Sequence, residues 1–315
     1  MASLSESAVY AMGLIVTACT KRKAGDANVR MSTFAPGTID EVGGRWVAAL
    51  NVANAITPAA NVYQGGGHAE SRRAVAVSNY HHLIVSAGLG LVSADARIPS
   101  YAATVLPGED DVLAKLHDGE TAAGWWHWIQ DHSPFACSLE RAMIAGEGPC
   151  LIALPHTYLA MIADDLLSLP RIQLERVRLF SGSNAPQHLA QFQMPYDDRL
   201  DGADSPYRGT RANFAARAMR HFVVSILPTH ETQSAPQHAK AVGAALSTWR
   251  SPARTIGQRK TDAELREVLI ENWEAVDGRS TRMLRLLRDD LGIACEQRRF
   301  ANLFGELRSE RGNAA

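Results

Sequence analysis

The sequence has few cysteines and no long apolar run. Its cysteines lie far apart, without the C-x-x-C spacing of a zinc ribbon or the density of a disulfide scaffold: Cys19, Cys137, Cys150 and Cys295. The apolar run at residues 14–19 is much shorter than the roughly 20 residues that a membrane span needs. Residues 1–9 carry no basic region of the kind that begins a signal peptide. We therefore expect a cytoplasmic protein that binds no metal and no membrane.

Neither charge sign is in excess. The 32 Lys and Arg residues balance 33 Asp and Glu residues, for a net charge of −1. Any site for a polyanion must therefore be local, because the whole surface is not a cationic coat. With 46% hydrophobic residues in a chain of 315, the composition is that of a globular protein and the length that of about two domains.

Four short apolar or β-branched runs predict strands, at residues 13–19, 82–87, 150–154 and 176–181. Segments with helical patterns separate these runs, and strands that alternate with helices favour a parallel sheet. We predict an α/β fold of three layers around a parallel four-stranded sheet. Ligands bind beyond the carboxyl ends of such strands. The candidate loops are those that open at Cys19, Ser86, Pro155 and Ser181.

The composition changes after Phe222. Residues 227–260 are rich in Pro, Ser, Thr, Gln and Ala and predict a linker, although residues 239–249 also suit a helix. Thr261 and Glu264 then form a capping-box pattern, and three helices follow. We predict an α/β catalytic domain over residues 1–226, a linker over 227–260, and an all-α, helix-turn-helix-like DNA-binding module over 261–315.

The loop after the first strand combines hydroxyl, thiol and cationic groups in Cys19-Thr-Lys-Arg-Lys23 and continues to Asp26. Backbone amides at a strand end, together with fixed cations, suit a phosphate. Lys21 and Lys23 are therefore candidate phosphate-binding residues, and Asp26 is a candidate catalytic carboxylate. Cys19 and Thr20 are candidates for the wall of a base pocket. The alternative is a basic turn that faces solvent.

The loop after the second strand contains two glycines, in Ser86-Ala-Gly-Leu-Gly90. Backbone without side chains can approach a flat ligand closely, and Tyr101 can wall a ring. The third glycine and the following helix of a dinucleotide-binding fingerprint are missing, so we reject a nicotinamide site. The candidates for a base pocket here are Gln64, Ser86, Gly88, Gly90 and Tyr101.

Carboxylates and arginines concentrate at residues 197–211. Asp204, or its neighbour Asp201, is a candidate to polarise a water molecule. Guanidinium groups nearby can hold a phosphate with two hydrogen bonds each. The alternative is an exposed loop with internal ion pairs. The candidate phosphate-binding residues of this segment are Arg208, Thr210 and Arg211.

Arginines recur every three residues from Arg279 to Arg288 in the C-terminal region. Guanidinium groups along a helix can lie against a DNA backbone, which makes Arg282 and Arg285 candidate DNA-binding residues. Acidic neighbours such as Asp289 leave the alternative of an ordinary solvated face.

These loops together resemble a family of uncharacterised bacterial and phage-linked proteins. Its members carry a C-x-K-x-K loop, a YxG element and an SAGxGL…PYxATF block, which this chain matches at residues 19–23, 63–65 and 86–104. The block is also similar to one in the peroxide-stress YaaA family, whose members bind DNA. The resemblance covers about the first hundred residues and implies the fold and ligand position more than the reaction. The chain departs from the pattern at Leu89, Ser100 and Val105.

The order of strands and loops resembles that of the uracil-DNA glycosylase superfamily, which places a catalytic loop after its first strand and a DNA-contacting loop after its last. Those positions correspond here to residues 19–26 and 181–186. The second loop adds Ser183 and Asn184 as candidate DNA-binding residues. A narrower resemblance is to anti-phage DNA glycosylases that act on glucosylated hydroxymethylcytosine.

The function hypothesis is a DNA glycosylase that takes part in anti-phage defence. Such an enzyme flips a modified base out of double-stranded DNA and hydrolyses the N-glycosidic bond, leaving an abasic site. We expect no cofactor and leave the oligomeric state open. Two alternatives stand beside it: a non-catalytic DNA-binding or nucleotide-sensing protein, and a nucleoside hydrolase or transferase.

Overall fold

The computed structural model describes residues 13–230, 233–252 and 258–312. The chain divides between Pro252 and Ala253 into two compact units. Within the described ranges, no helix combines the length and the apolar character that crossing a membrane requires. The prediction that residues 1–9 carry no signal peptide falls outside these ranges.

The first unit is built on a five-stranded sheet. Its strands follow the spatial order β3-β2-β1-β4-β5. They are β1 (Leu14–Ala18), β2 (His81–Ser86), β3 (Gly90–Ser93), β4 (Cys150–Ala153) and β5 (Val177–Phe180). All but β3 run parallel, with Thr17 of β1 paired to Ile84 of β2 and to Ala153 of β4. The predicted α/β class is confirmed, and each of the four predicted strands is present.

The fifth strand corrects the prediction of a four-stranded sheet. β3 is antiparallel to β2, and Ser86 pairs with Gly90, so the chain reverses over residues 87–89. Gly90 has a φ of +78°, a conformation that residues with a Cβ avoid. The glycines that we interpreted as a ligand-binding loop therefore form a tight hairpin at the sheet edge.

Helices connect the strands of the first unit. They are α1 (Ile39–Val52), α2 (Ala59–Val62), α3 (Gly66–Ser78), α4 (Ala122–His132), α5 (Leu139–Ile144), α6 (His156–Met161), α7 (Ala163–Leu167), α8 (Arg171–Leu174), α9 (Phe214–His221), α10 (Leu227–His230) and α11 (Ala235–Leu246). A π-helical turn at Phe222–Ile226 makes α9 and α10 one continuous helical run. Two short ladders add to them: Val29–Arg30 pairs with Tyr101–Ala102, and Thr57–Pro58 pairs with Arg97–Ile98.

Helices cover both faces of the sheet. Successive side chains of a strand point to opposite faces, and β1 accordingly places Val16 in one buried cluster and Ile15 in another. Trp46 of α1 and Trp125 of α4 lie in the first cluster, and Met219 of α9 lies in the second. The two buried clusters therefore pack on opposite faces of the sheet, and the parallel pairing of β1, β2, β4 and β5 brings their carboxyl ends to one edge.

Residues 227–252 belong to the first unit, which corrects the predicted linker over 227–260. Ser234 and Gln237 form a capping box at the start of α11. Val242 and Leu246 of this helix are fully buried in the second cluster. The alanine-rich composition that suggested a linker is therefore that of a helix packed into the core.

The second unit contains α12 (Asp262–Glu271), α13 (Ser280–Arg285) and α14 (Gln297–Gly312). The predicted capping box is confirmed at α12, where Thr261 and Glu264 each accept a hydrogen bond from the other's backbone N–H. A separate cluster of buried side chains holds the unit together. A parallel ladder pairs Gln258–Arg259 with Ile293–Ala294, so the unit is not all-α. The helix-turn-helix-like arrangement stays a prediction.

Candidate functional site

Two loops that are distant in sequence lie side by side at the carboxyl end of the sheet. We call residues 19–26 the lysine turn and residues 86–90 the glycine bend. They follow β1 and β2, which are neighbours, and the backbone N–H of Cys19 donates to the carbonyl of Val85 at 2.8 Å. Adjacent parallel strands therefore bring the two loops to the same edge.

Two tryptophans hold the glycine bend in place. Nε1 of Trp46, on α1, donates to the carbonyl of Gly88 at 2.7 Å. Nε1 of Trp125, on α4, donates to the carbonyl of Ala87 at 2.6 Å. Because a buried indole N–H and a buried carbonyl both need a partner, these bonds fix the bend against the helices.

A buried group of hydroxyls lies against the bend. The hydroxyl of Tyr101 is hydrogen-bonded to that of Ser86 and, at 2.8 Å, to that of Tyr63. Burial raises the pKa of both tyrosines, so both hydroxyls stay protonated at neutral pH. A Cβ on Gly88 would lie 2.6 Å from the Tyr101 ring, so the glycine is required for Tyr101 to pack here.

Lys23 lies over the ring of Tyr101, one of the residues in this buried group of hydroxyls. Its Nζ is 4.4 Å from the centre of the Tyr101 ring, which is a cation–π contact, and it donates to the carbonyl of Thr20 at 3.0 Å. Burial lowers the pKa of Lys23, while Cys19 and Asp110 act in the opposite direction. The side chain of Lys23 is half-buried, with an aromatic ring and a backbone carbonyl beside its amine.

A cleft of about 200 Å³ opens at this position. The lysine turn forms one wall, and the ladder of Val29–Arg30 with Tyr101–Ala102 forms another. Asp26 and Lys21 line the cleft and are exposed to solvent. The charged residues of the lining are Lys21, Lys23, Asp26, Arg30, Glu109 and Asp110.

Three of these charged residues form their own network. The buried carboxylate of Asp110 accepts hydrogen bonds from the Arg30 guanidinium at 2.9 Å and from the Ser32 hydroxyl at 2.8 Å. Arg30 also lies 3.5 Å from a carboxylate oxygen of Glu109. The acidic run at residues 109–111 matches no motif, so this network was not predicted from the sequence. Outside it, the charged groups of the cleft are Lys21, Lys23 and Asp26.

Most predicted base-pocket residues support the cleft without lining it. Cys19 is buried, with its Sγ 3.4 Å from the hydroxyl of Tyr158 on α6. The Thr20 hydroxyl accepts a hydrogen bond from the Gln64 backbone N–H at 3.1 Å, which joins the lysine turn to the turn after α2. Gly90 belongs to the hairpin. Of the predicted pocket residues, Tyr101 lines the cleft.

Other predicted binding residues lie at the same sheet edge. The exposed Arg211 donates to the carbonyl of Gly182, in the loop after β5, at 3.4 Å. In that loop the carbonyl of Asn184 accepts from Nδ1 of His156, which begins α6 after β4, at 3.0 Å. The side chains of Ser183, Asn184, Arg208, Thr210 and Arg211 are exposed.

The structure separates the two candidate catalytic carboxylates. Asp204 forms a two-point ion pair with Arg250, with a shortest distance of 2.8 Å, and this partner lowers the pKa of Asp204. Asp201 pairs at 2.6 Å with the buried Arg217. Within the described ranges, Asp26 lines the cleft and Asp204 does not. The acidic segment is therefore an ion-paired loop, the alternative that its composition left open.

The arginines of the second unit are partly engaged in ion pairs. Arg282, on α13, lies 2.6 Å from Asp277, and Arg299, on α14, lies 2.5 Å from Asp262. Arg285 is exposed on α13. A groove in this unit is lined by four cationic residues and one carboxylate: Arg259, Lys260, Arg288, Arg299 and Glu296. The unit thus carries a local excess of positive charge on one of its surfaces.

Comparisons with protein-family models, curated proteins and solved structures gave no match to this chain. In the described part of the chain, no three His, Cys, Asp or Glu side chains group as a metal site would need.

Proposed function

We propose that this protein is a DNA glycosylase that excises a modified base by hydrolysing its N-glycosidic bond. The observation that carries the proposal is the cleft at the carboxyl end of the sheet. Its lining includes Tyr101 and three charged side chains, those of Lys21, Lys23 and Asp26. Base excision needs a pocket for one flipped base, a carboxylate for water and a donor for the departing base. The cleft offers one group for each of these roles.

The volume of the cleft favours a single ring system. Its 200 Å³ is below the roughly 300–1,000 Å³ of pockets for larger ligands. A base that carries a glucosyl group would place the base in the cleft and the sugar outside it. The resemblance to anti-phage DNA glycosylases makes glucosylated hydroxymethylcytosine in DNA the first substrate to test.

In the proposed reaction, each charged side chain of the cleft has a separate role. Asp26 accepts a proton from the water that attacks C1′ of the deoxyribose, and the electron pair of the breaking bond leaves with the base. Lys23, deeper in the cleft, donates a proton to the departing base. Lys21 at the rim holds a phosphate, and the exposed Arg211 and Asn184 offer further contacts to the backbone at the same edge.

The test is an abasic-site assay on the full-length protein. Duplex oligonucleotides carry one cytosine, hydroxymethylcytosine, glucosylated hydroxymethylcytosine or uracil, and alkali converts abasic sites to strand breaks. Asp26→Asn should lower single-turnover excision by about 100-fold or more, because a positioned acid or base contributes that much. The matched control is Asp95→Asn, an exposed carboxylate outside the cleft, which should retain wild-type excision.

The outcomes separate the function hypotheses. No excision from any modified duplex would overturn the proposal. Salt-dependent binding to the same duplexes without product would favour a non-catalytic DNA-binding protein. Wild-type excision by Asp26→Asn would remove the carboxylate from its assigned role.

A further inference from the structure

Two lysines of the lysine turn differ in their surroundings. Lys21 is exposed at the rim of the cleft, whereas Lys23 is half-buried and lies over the Tyr101 ring. Both line the cleft, so both face the position proposed for the deoxyribose and its base. A cation that only held a phosphate would be placed as Lys21 is, since phosphates stay in solvent when a base is flipped.

The surroundings of Lys23 favour the neutral amine more than those of an exposed lysine do. Burial lowers the pKa of Lys23, and the aromatic ring and the Thr20 carbonyl hold its Nζ in place. Lysines with a lowered pKa are nucleophiles that form Schiff bases with carbonyl groups. Base excision leaves such a carbonyl, because the abasic deoxyribose opens to an aldehyde at C1′.

We propose that Lys23 is the nucleophile of an abasic-site lyase activity in the same cleft, acting on the aldehyde of the abasic deoxyribose. This proposal rests on the proposed function. It extends that function from removal of a base to cleavage of the strand on the 3′ side of the abasic site.

The steps balance without a cofactor. After Lys23 gives its proton to the departing base, its free electron pair attacks C1′, and loss of water forms the C=N bond. Asp26 gives its proton to the hydroxyl that leaves C1′ as water, which restores the carboxylate and leaves the C=N bond protonated. A proton then leaves C2′ and passes to Asp26, the C–H electron pair forms a C=C bond, and the C3′–O bond breaks with its electrons on the phosphate. Water finally hydrolyses the C=N bond, which returns the Lys23 amine and leaves an unsaturated aldehyde on the strand.

A purely structural Lys23 would behave differently. A brace over Tyr101, or a cation for phosphate, requires a positive charge, and arginine keeps that charge, stacks on aromatic rings and binds phosphate. Schiff-base chemistry requires a primary amine that can lose its proton, which arginine cannot supply. Covalent capture of the substrate therefore distinguishes the nucleophile from the brace.

The experiment uses the full chain and a duplex that already contains one abasic site, prepared by removing uracil beforehand. Sodium borohydride reduces any C=N bond to a stable adduct, which a denaturing gel separates from free DNA. The wild-type protein should form the adduct and cleave the strand. Lys23→Arg and Lys23→Gln should lower adduct formation by about 100-fold or more. Lys240→Gln, at an exposed lysine of α11, is the matched control and should trap as the wild type does.

Peptide mapping of the wild-type adduct keeps the test independent of variant folding. An adduct on Lys23 supports the proposal, and an adduct on Lys21 or on another lysine overturns it. Absence of any adduct, or equal trapping by Lys23→Arg, also overturns it. Since the substrate needs no base excision, excision without trapping counts against the lyase alone. Trapping at Lys23 without excision supports the lyase and counts against the proposed function.

Discussion

At the scale of single residues, the structure of the cleft depends on Tyr101, which contacts several polar groups at once. Tyr101 uses its hydroxyl for Ser86 and Tyr63 and its ring face for Lys23. One aromatic side chain thereby fixes both the glycine bend and the amine above it, because a buried hydroxyl must find a partner and a ring face attracts a cation. Gly88 belongs to the same arrangement, since any side chain there would collide with the ring.

A buried histidine in β2 gives a prediction on pH. His82 is buried beside Thr17, 2.9 Å from its hydroxyl, and burial lowers the pKa of His82 to about 3, with His68 and His81 adding to the effect. The unfolded chain binds this proton near pH 6.5 and the folded chain does not, so the free energy of unfolding should fall as the pH drops below 6.5. Uptake of one proton by the unfolded chain lowers the free energy of unfolding by roughly 1.4 kcal/mol per pH unit.

The measurement is the urea-unfolding free energy at a series of pH values between 6.5 and 4.5. His82→Gln should be less stable at pH 7 and should show a shallower loss of stability towards low pH. The exposed His188→Gln serves as control and should keep the wild-type slope. An unchanged slope in His82→Gln would show that other groups dominate the acid response.

At the scale of elements, α11 anchors the edge strand β5 of the sheet. The buried Arg178, on the edge strand β5, donates to Nδ1 of His238 on α11 at 2.9 Å and to the carbonyl of Gln233 at 3.1 Å. Burial lowers the pKa of Arg178 to about 10. This polar contact joins α11 to the sheet beside the apolar packing of Val242 and Leu246.

The packing of α11 predicts a large effect from a substitution in the segment first interpreted as a linker. Leu246 is fully buried, so Leu246→Ala should lower the free energy of unfolding by about 2–5 kcal/mol through lost burial and an added cavity. Lys240→Ala, at an exposed position of the same helix, should change it by less than about 0.5 kcal/mol. Chemical denaturation of both variants provides the comparison. Equal, small effects would contradict the assignment of α11 to the core.

At the scale of the whole molecule, two units have separate cores. The buried clusters of the first unit include no residue beyond Leu246, and that of the second unit begins at Leu265, within the described ranges. Each unit therefore has an apolar interior of its own, which is the physical requirement for a domain. In the proposed enzyme the first unit carries the reaction and the second contributes contacts to the DNA backbone.

A chain that ends at Pro252 tests this division. The shortened protein should unfold cooperatively and retain base excision on short duplexes, because the cleft and its supporting helices lie before residue 252. Its DNA affinity should fall and should depend less steeply on salt, since fewer phosphates are neutralised. Titrations at several salt concentrations measure both. Equal affinity and slope in the two chains would exclude the second unit from DNA binding, as the nucleoside hydrolase hypothesis expects.

The sequence by itself determined the elements whose signals are local. Short apolar or β-branched runs predicted β1, β2, β4 and β5, and the Thr261–Glu264 pattern predicted the start of α12, because these features depend on neighbours along the chain. Because the carboxyl ends of parallel strands lie at one edge of a sheet, the same runs predicted that the loops after β1 and β2 lie at that edge.

Only the tertiary structure decided which candidate residues share the cleft. Asp26 and Asp204 are equivalent as carboxylates in a sequence, but Arg250 pairs with Asp204 from 46 positions away. The same holds for Lys21 and Lys23, which differ through the burial of Lys23 over Tyr101. The hairpin of β3, the docking of α11 and the environment of each titratable group arise from contacts between distant segments, and local patterns carry no record of those contacts.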